Sequence, residues 1–199
     1  MSPTFLRMTA TAALLTAAMT ASASAQTIGL TAGATFNSLN GDDAEDVFGF
    51  ESKTGFVGGA YVILPLGGGS LSLEPQLLYT MKGADLPDFD TELSNDYIQI
   101  PVLLRYGFGA GGVKPSIFAG PAASFSVGCE FTGDVDGSCE DTGATEESVQ
   151  WDGIIGAGLG FGKFGVDVRY EFGLTDVYED FDAKNGTFAV LVRYNIFGN

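Results

Sequence analysis

The sequence predicts an all-β fold: an eight-stranded antiparallel transmembrane β-barrel, preceded by a cleavable signal peptide. Three observations predict it. A short apolar leader ends in a small-residue cleavage pattern. The chain beyond it alternates polar and apolar residues with a period of two. The connections between the alternating segments are short and long in turn.

The leader comes first. Arg7 supplies a basic start, Met8 to Met19 is uncharged and apolar, and Thr20-Ala21-Ser22-Ala23-Ser24-Ala25 follows. Ala23-x-Ala25 is the small-residue pattern that a signal peptidase accepts, so cleavage is expected before Gln26. The apolar stretch is too short to span a bilayer as a retained anchor. Residues 1–25 are therefore read as signal peptide and 26–199 as one barrel domain.

Within 26–199 the period of two defines eight segments, at about 27–39, 54–65, 70–82, 96–108, 114–127, 148–161, 163–173 and 185–197. The seventh shows the pattern well: Val166, Val168, Tyr170 and Phe172 alternate with Asp167, Arg169 and Glu171. β-branched and aromatic residues on one side, polar residues on the other, read as strand. Each segment is long enough to cross a bilayer as a tilted strand. The connections Leu66–Gly69, Gly109–Val113 and Gly162 are tight, whereas 40–53, 83–95, 128–147 and 174–184 are long. Short turns on one side and long loops on the other are the plan of an outer-membrane barrel with periplasmic termini. A soluble β-sandwich has no reason to sort its loops this way.

Charge gives an independent check. The chain has 25 acidic residues, nine basic ones, no histidine and a formal charge of −16, yet its mean hydropathy is positive. Segregation explains the combination: 21 of the 25 acids fall in or beside the four long connections. Lys114 and Lys163 adjoin the tight turns. No basic patch is present to bind nucleic acid, and no cofactor motif appears.

The four remaining acids, Glu74, Asp152, Asp167 and Glu171, lie at the polar parity of their strands, with Lys82, Arg105, Arg169 and Arg193. In a barrel that parity faces the lumen. Unpartnered buried charges are costly, so these eight are expected to pair. Glu74 with Arg105, and Arg193 with Asp167 or Glu171, are the expected pairs. Eight strands leave an interior that side chains fill, so the lumen is expected to be plugged. The opposite parity, Leu71, Leu73, Leu77 and Tyr79 followed by Ile98, Ile100, Val102, Leu104 and Tyr106, is expected to face outer-membrane lipid.

Three further features carry alternatives. Pro75, Pro101 and Pro121 fall mid-strand on consecutive strands, where proline removes a ladder donor. They read as bulges that bend the sheet, or as a lateral opening for an apolar molecule. Cys129 and Cys139, the two cysteines of an exported chain, are expected to form a disulfide. Asp134, Asp136, Glu140 and Asp141 resemble part of a calcium loop, but their spacing does not complete an EF-hand. Solvated surface, or divalent cations bridging the acidic loops to lipopolysaccharide, is the simpler reading, and no metal site is assigned.

At this point a resemblance is visible. Ser72-Leu73-Glu74-Pro75-Gln76-Leu77-Leu78-Tyr79 with Lys82-Gly83 resembles the third strand of the small outer-membrane β-barrel family described as porin-like or PorT-like. Tyr97-Ile98-Gln99-Ile100-Pro101-Val102-Leu103-Leu104-Arg105-Tyr106 is similar to its fourth strand. Gly173-Leu174-Thr175-Asp176 and Lys184-Asn185-Gly186-Thr187-Phe188 are similar to its closing hairpin. The resemblance implies an eight-stranded barrel in a Gram-negative outer membrane and little about activity.

Two functions remain. One is a monomeric structural or surface-interaction barrel displaying acidic loops. The other is a narrow porin, or a lateral-route transporter of small or apolar solutes. Catalysis is not expected, because no histidine is available as general base.

Overall fold

A computed structural model of the chain describes residues 26–40, 51–67, 70–86, 91–109, 111–133, 137–138, 149–174 and 184–198, with side chains described for most of these. The long strands are β1 (Thr27–Asn40), β2 (Glu51–Pro65), β3 (Leu71–Leu86), β4 (Thr91–Gly107), β5 (Val113–Gly133), β7 (Val149–Phe161), β8 (Phe164–Gly173) and β9 (Lys184–Phe197). β6 is a two-residue strand, Gly137–Ser138, paired on the far end of β5. Successive long strands pair antiparallel, β5 with β7, and β1 pairs β9. The sheet therefore closes into a barrel of eight long strands. Closure leaves no unpaired edge in the wall, which a bilayer requires.

The wall follows from the alternating pattern. On β8, every second residue from Gly165 to Glu171 is buried and every residue between is exposed. Outward residues are apolar throughout the barrel, among them Leu30, Leu77, Ile100, Val102, Leu104, Ile117, Ile155 and Val192. A soluble protein does not expose a continuous apolar belt of this extent. Aromatic rings edge the belt at both ends. Tyr106 meets Phe108 at 4.9 Å and Phe164 meets Tyr194 at 5.1 Å near the short turns, and Phe36 meets Phe188 at 6.3 Å near the long loops. Two such girdles flank the lipid band of outer-membrane barrels.

The tight turns lie where the sequence places them. Phe161 pairs with Phe164 across Gly162-Lys163, and Gly162 takes a positive φ of 59°, which glycine adopts without steric cost. Two expectations need correction. The segments read as loops over 83–95 and 128–147 are in part strand: Gly83 to Leu86 pair with Ser94 to Thr91, and β5 runs to Gly133. Ladder pairing propagates outward from the closed wall, although local charge reads as loop.

The second correction concerns the prolines, for which bulges were the simpler reading. Register shifts fall at Ile28/Gly29, Ser52/Val57 and Asp96/Tyr97, and none falls at a proline. Each proline instead opens a gap across which the register is unchanged. Pairing skips Val62 and Ile63 beside Pro75, Gln76 and Leu77 beside Pro101, and Val102 and Leu103 beside Pro121. A missing N–H removes a bond without adding a residue. Pro121 faces outward, whereas Pro101 is buried in the lumen wall.

Candidate functional site: the lumen

Seven of the eight predicted lumen charges have described side chains, and all seven are buried: Glu74, Arg105, Asp152, Asp167, Arg169, Glu171 and Arg193. The side chain of Lys82 lies outside the described residues, although its backbone pairs with Asn95. The proposed disulfide also lies outside, because Cys139 and the Cys129 side chain do. So do residues 1–25 and the four acids of the partial calcium pattern, Asp134, Asp136, Glu140 and Asp141.

Four of the seven form a closed square. Arg105 Nε donates to Glu74 Oε2 at 2.7 Å, and its Nη2 donates to Asp167 Oδ2 at 2.6 Å. Arg193 Nη1 donates to the same Asp167 oxygen at 2.9 Å, and its Nη2 donates to Glu74 Oε2 at 3.0 Å. The order around the barrel is β1, β2, β3, β4, β5, β7, β8, β9. β3 therefore stands opposite β8, and β4 opposite β9. Glu74 and Asp167 thus face each other on opposite strands, as do Arg105 and Arg193, and the Arg105–Asp167 and Arg193–Glu74 bonds cross the lumen between strands three apart.

Arg193 resolves its two candidate partners by height. It pairs in register with Gly165, two residues from Asp167 and six from Glu171. At about 3.3 Å per residue, six residues put Glu171 roughly 20 Å along the strand. Glu171 meets Arg169 instead, at 2.7 Å. That Nη2 to Oε1 contact is close, but its angles miss hydrogen-bond geometry. It is an ion pair, because Coulomb attraction depends on distance and the two groups are nearly dry.

The square continues as a polar column toward the long loops. Gln76 Nε2 donates to Glu74 at 2.7 Å, and its Oε1 accepts from Arg169 Nη1 at 3.3 Å. Gln99 Nε2 donates to Glu171 Oε2 at 3.0 Å and reaches Asp152 Oδ2 at 3.5 Å. Ser124 donates to Asp152 at 2.7 Å. Apolar pads flank the column: Val57, Leu78, Ala189 and Leu191 on one side, and Leu103, Phe118, Ala122 and Ile154 on the other. The Arg105 and Arg193 guanidiniums also stack on Phe118 and Tyr61, at 4.2 and 4.1 Å from the ring centroids.

Sequence reasoning missed Gln76, Gln99, Ser124 and both pads. Gln76 and Gln99 share parity with Glu74 and Arg105, so the parity that located the charges could have located them. Leu78, Leu103 and Leu191 carry no such signal, because an apolar residue at lumen parity looks the same as one facing lipid.

Among the residues lining the lumen, the carboxylates are held by arginine, amide and hydroxyl groups, an arrangement that ties walls together. A family model described as an outer membrane protein beta-barrel domain matches residues 22–179. Among solved structures, Neisserial surface protein A is similar at TM-score 0.53 and 16% identity, over 85% of this chain and 97% of that one. Ail, the attachment invasion locus protein of Yersinia pestis, is similar at TM-score 0.49 and 16% identity, over 86% and 99%. The outer membrane enzyme PagL is similar at TM-score 0.49 and 18% identity, over 86% and 100%. At 16% identity the likeness to Neisserial surface protein A speaks to fold alone. No curated protein matches.

Proposed function

The chain belongs to the outer membrane protein β-barrel domain family, and we propose that it serves in the bacterial outer membrane as a sealed structural barrel that presents acidic loops to surface partners. The observation that carries this reading is the Glu74–Arg105–Asp167–Arg193 square, which links β3 and β4 to β8 and β9 across the lumen. Conduction along the lumen would have to break the bonds among these four buried side chains. Removing one partner of a buried pair typically costs about 3–5 kcal/mol, since the remaining charge is left uncompensated.

The partners are proposed from charge. The long connections concentrate acids at one end, which favours divalent cations bridging to lipopolysaccharide or to cationic surface molecules. The role is non-enzymatic: the chain has no histidine, and the lumen carboxylates are engaged in bonds that hold the walls.

Planar-bilayer recording of protein shown to be folded by heat-shifted gel mobility tests the reading. The wild type is expected to be silent. Glu74→Gln, which withdraws the charge shared by two guanidiniums, is expected to give brief openings and to unfold at lower denaturant. Stable cation-selective steps from the wild type would instead assign the narrow-porin function.

A further inference from the structure

The square is also the floor of a cavity. At the short-turn end the barrel opens into a vestibule of about 250 Å³, lined among others by Tyr61, Arg105, Lys114, Ser116, Asp167 and Arg193. Since a water occupies about 30 Å³ of liquid, the space admits roughly eight waters or one small solute.

Its charge is lopsided. Arg105, Arg193 and Lys114 line it, against Asp167 as the one carboxylate side chain among its lining residues. Glu74, which neutralises both guanidiniums in part, lies behind them: it is 0% exposed and does not line the cavity. The dipole of the square therefore points its positive side to the opening. Arg193 donates to Glu74 and Asp167 and lies against the Tyr61 ring. Ser116 and the Tyr61 hydroxyl, which donates to Asn195 at 2.6 Å, add polar atoms to the wall. The acid-rich connections are at the other end of the barrel, where they would repel an anion.

We propose that this vestibule binds a small soluble oxyanion, a carboxylate or phosphate, from the side of the short turns. The ligand would contact Lys114 at the rim and Arg193 at the floor, with Ser116 beside it. By the outer-membrane plan that side is the periplasm. A closed floor makes this a binding pocket and not the entrance to a channel, so binding and conductance are separate properties.

The test is a titration of the refolded protein in zwitterionic micelles, followed by amide and arginine Nε–H resonances. Inorganic phosphate and acetate are the probes, glycerol the neutral control, and chloride holds ionic strength constant. Saturable shifts confined to Gly160, Gly165 and Arg193 are expected with both anions and not with glycerol. Lys114→Gln, at an exposed position that does not hold the fold, is expected to weaken binding up to about fivefold, the scale of one exposed charge interaction. Ser116→Ala gives a second, uncharged perturbation. Shifts that grow linearly, that glycerol reproduces, or that Lys114→Gln leaves unchanged would overturn the proposal. So would shifts that anionic phospholipid produces and the soluble anions do not, since the source would then be a headgroup.

Discussion

Gly158 shows how strongly a single position can set the lumen. It lies at lumen parity on β7, beneath the square, and has no side chain. A Cβ built there would stand 2.1 Å from Asp167 Oδ1, 2.9 Å from Arg105 Nη1 and 3.1 Å from Ser116 Oγ. Asp167 could swing aside only by giving up both guanidiniums. Gly158→Ala is therefore expected to destabilise the barrel by about 1–3 kcal/mol, the range for overpacking a filled interior. Urea unfolding followed by Trp151, the chain's one tryptophan, reads this directly, because the ring faces outward and leaves lipid on unfolding. An unchanged midpoint would show that Asp167 does not depend on the space above Gly158. The sequence exposes the charges but not this requirement: Gly156, Gly158 and Gly160 read equally as a flexible run. Asp167, Arg105 and Ser116 crowd Gly158, and the Phe118 ring with the Val168 carbonyl crowds Gly156, whereas Gly160 has only ordinary contacts.

At the scale of elements, the wall was legible and its upper reach was not. Alternation located eight strands because one face meets lipid and the other a crowded polar interior, and both leave marks in residue type. Beyond the lipid band the contrast disappears. Asp85 opposite Glu92 is an unfavourable like-charge pair by local rules, yet the ladder continues past it. The prolines are plain in the sequence but their effect is not, because a bulge and a simple gap call for the same residue. Their gaps align across β2 to β5 in one stretch of wall. Replacing Pro75, Pro101 and Pro121 by valine should restore up to three ladder bonds, each contributing about 0.5–1.5 kcal/mol net. Slower amide exchange in β3 to β5 is the expected outcome, with uptake of a lipophilic dye into vesicles unchanged. A fall in uptake would revive the lateral route named by the sequence.

For the whole molecule, the governing feature is a difference between its two ends. Even strand number returns the chain to its starting side: Ile28 pairs with Phe197, beside the tight turns. That side carries Lys114 and Lys163, both exposed, and the vestibule. The other side carries the acid-rich connections, with Lys53 and Lys184 at the corresponding ends of β2 and β9. Outer-membrane barrels keep short turns in the periplasm and long loops outside, so the two pairs of lysines should differ in access from the cell exterior. A membrane-impermeant amine reagent applied to intact cells is expected to modify peptides carrying Lys53 and Lys184 and to spare those carrying Lys114 and Lys163. Permeabilising the outer membrane should add the second pair. The reverse pattern would turn the barrel over and place its acidic loops in the periplasm. The vestibule would then face the medium, and an oxyanion would reach it from outside the cell. The labelling pattern thus determines which compartment supplies any ligand of Arg193 and Lys114, and which set of partners the acidic loops can meet.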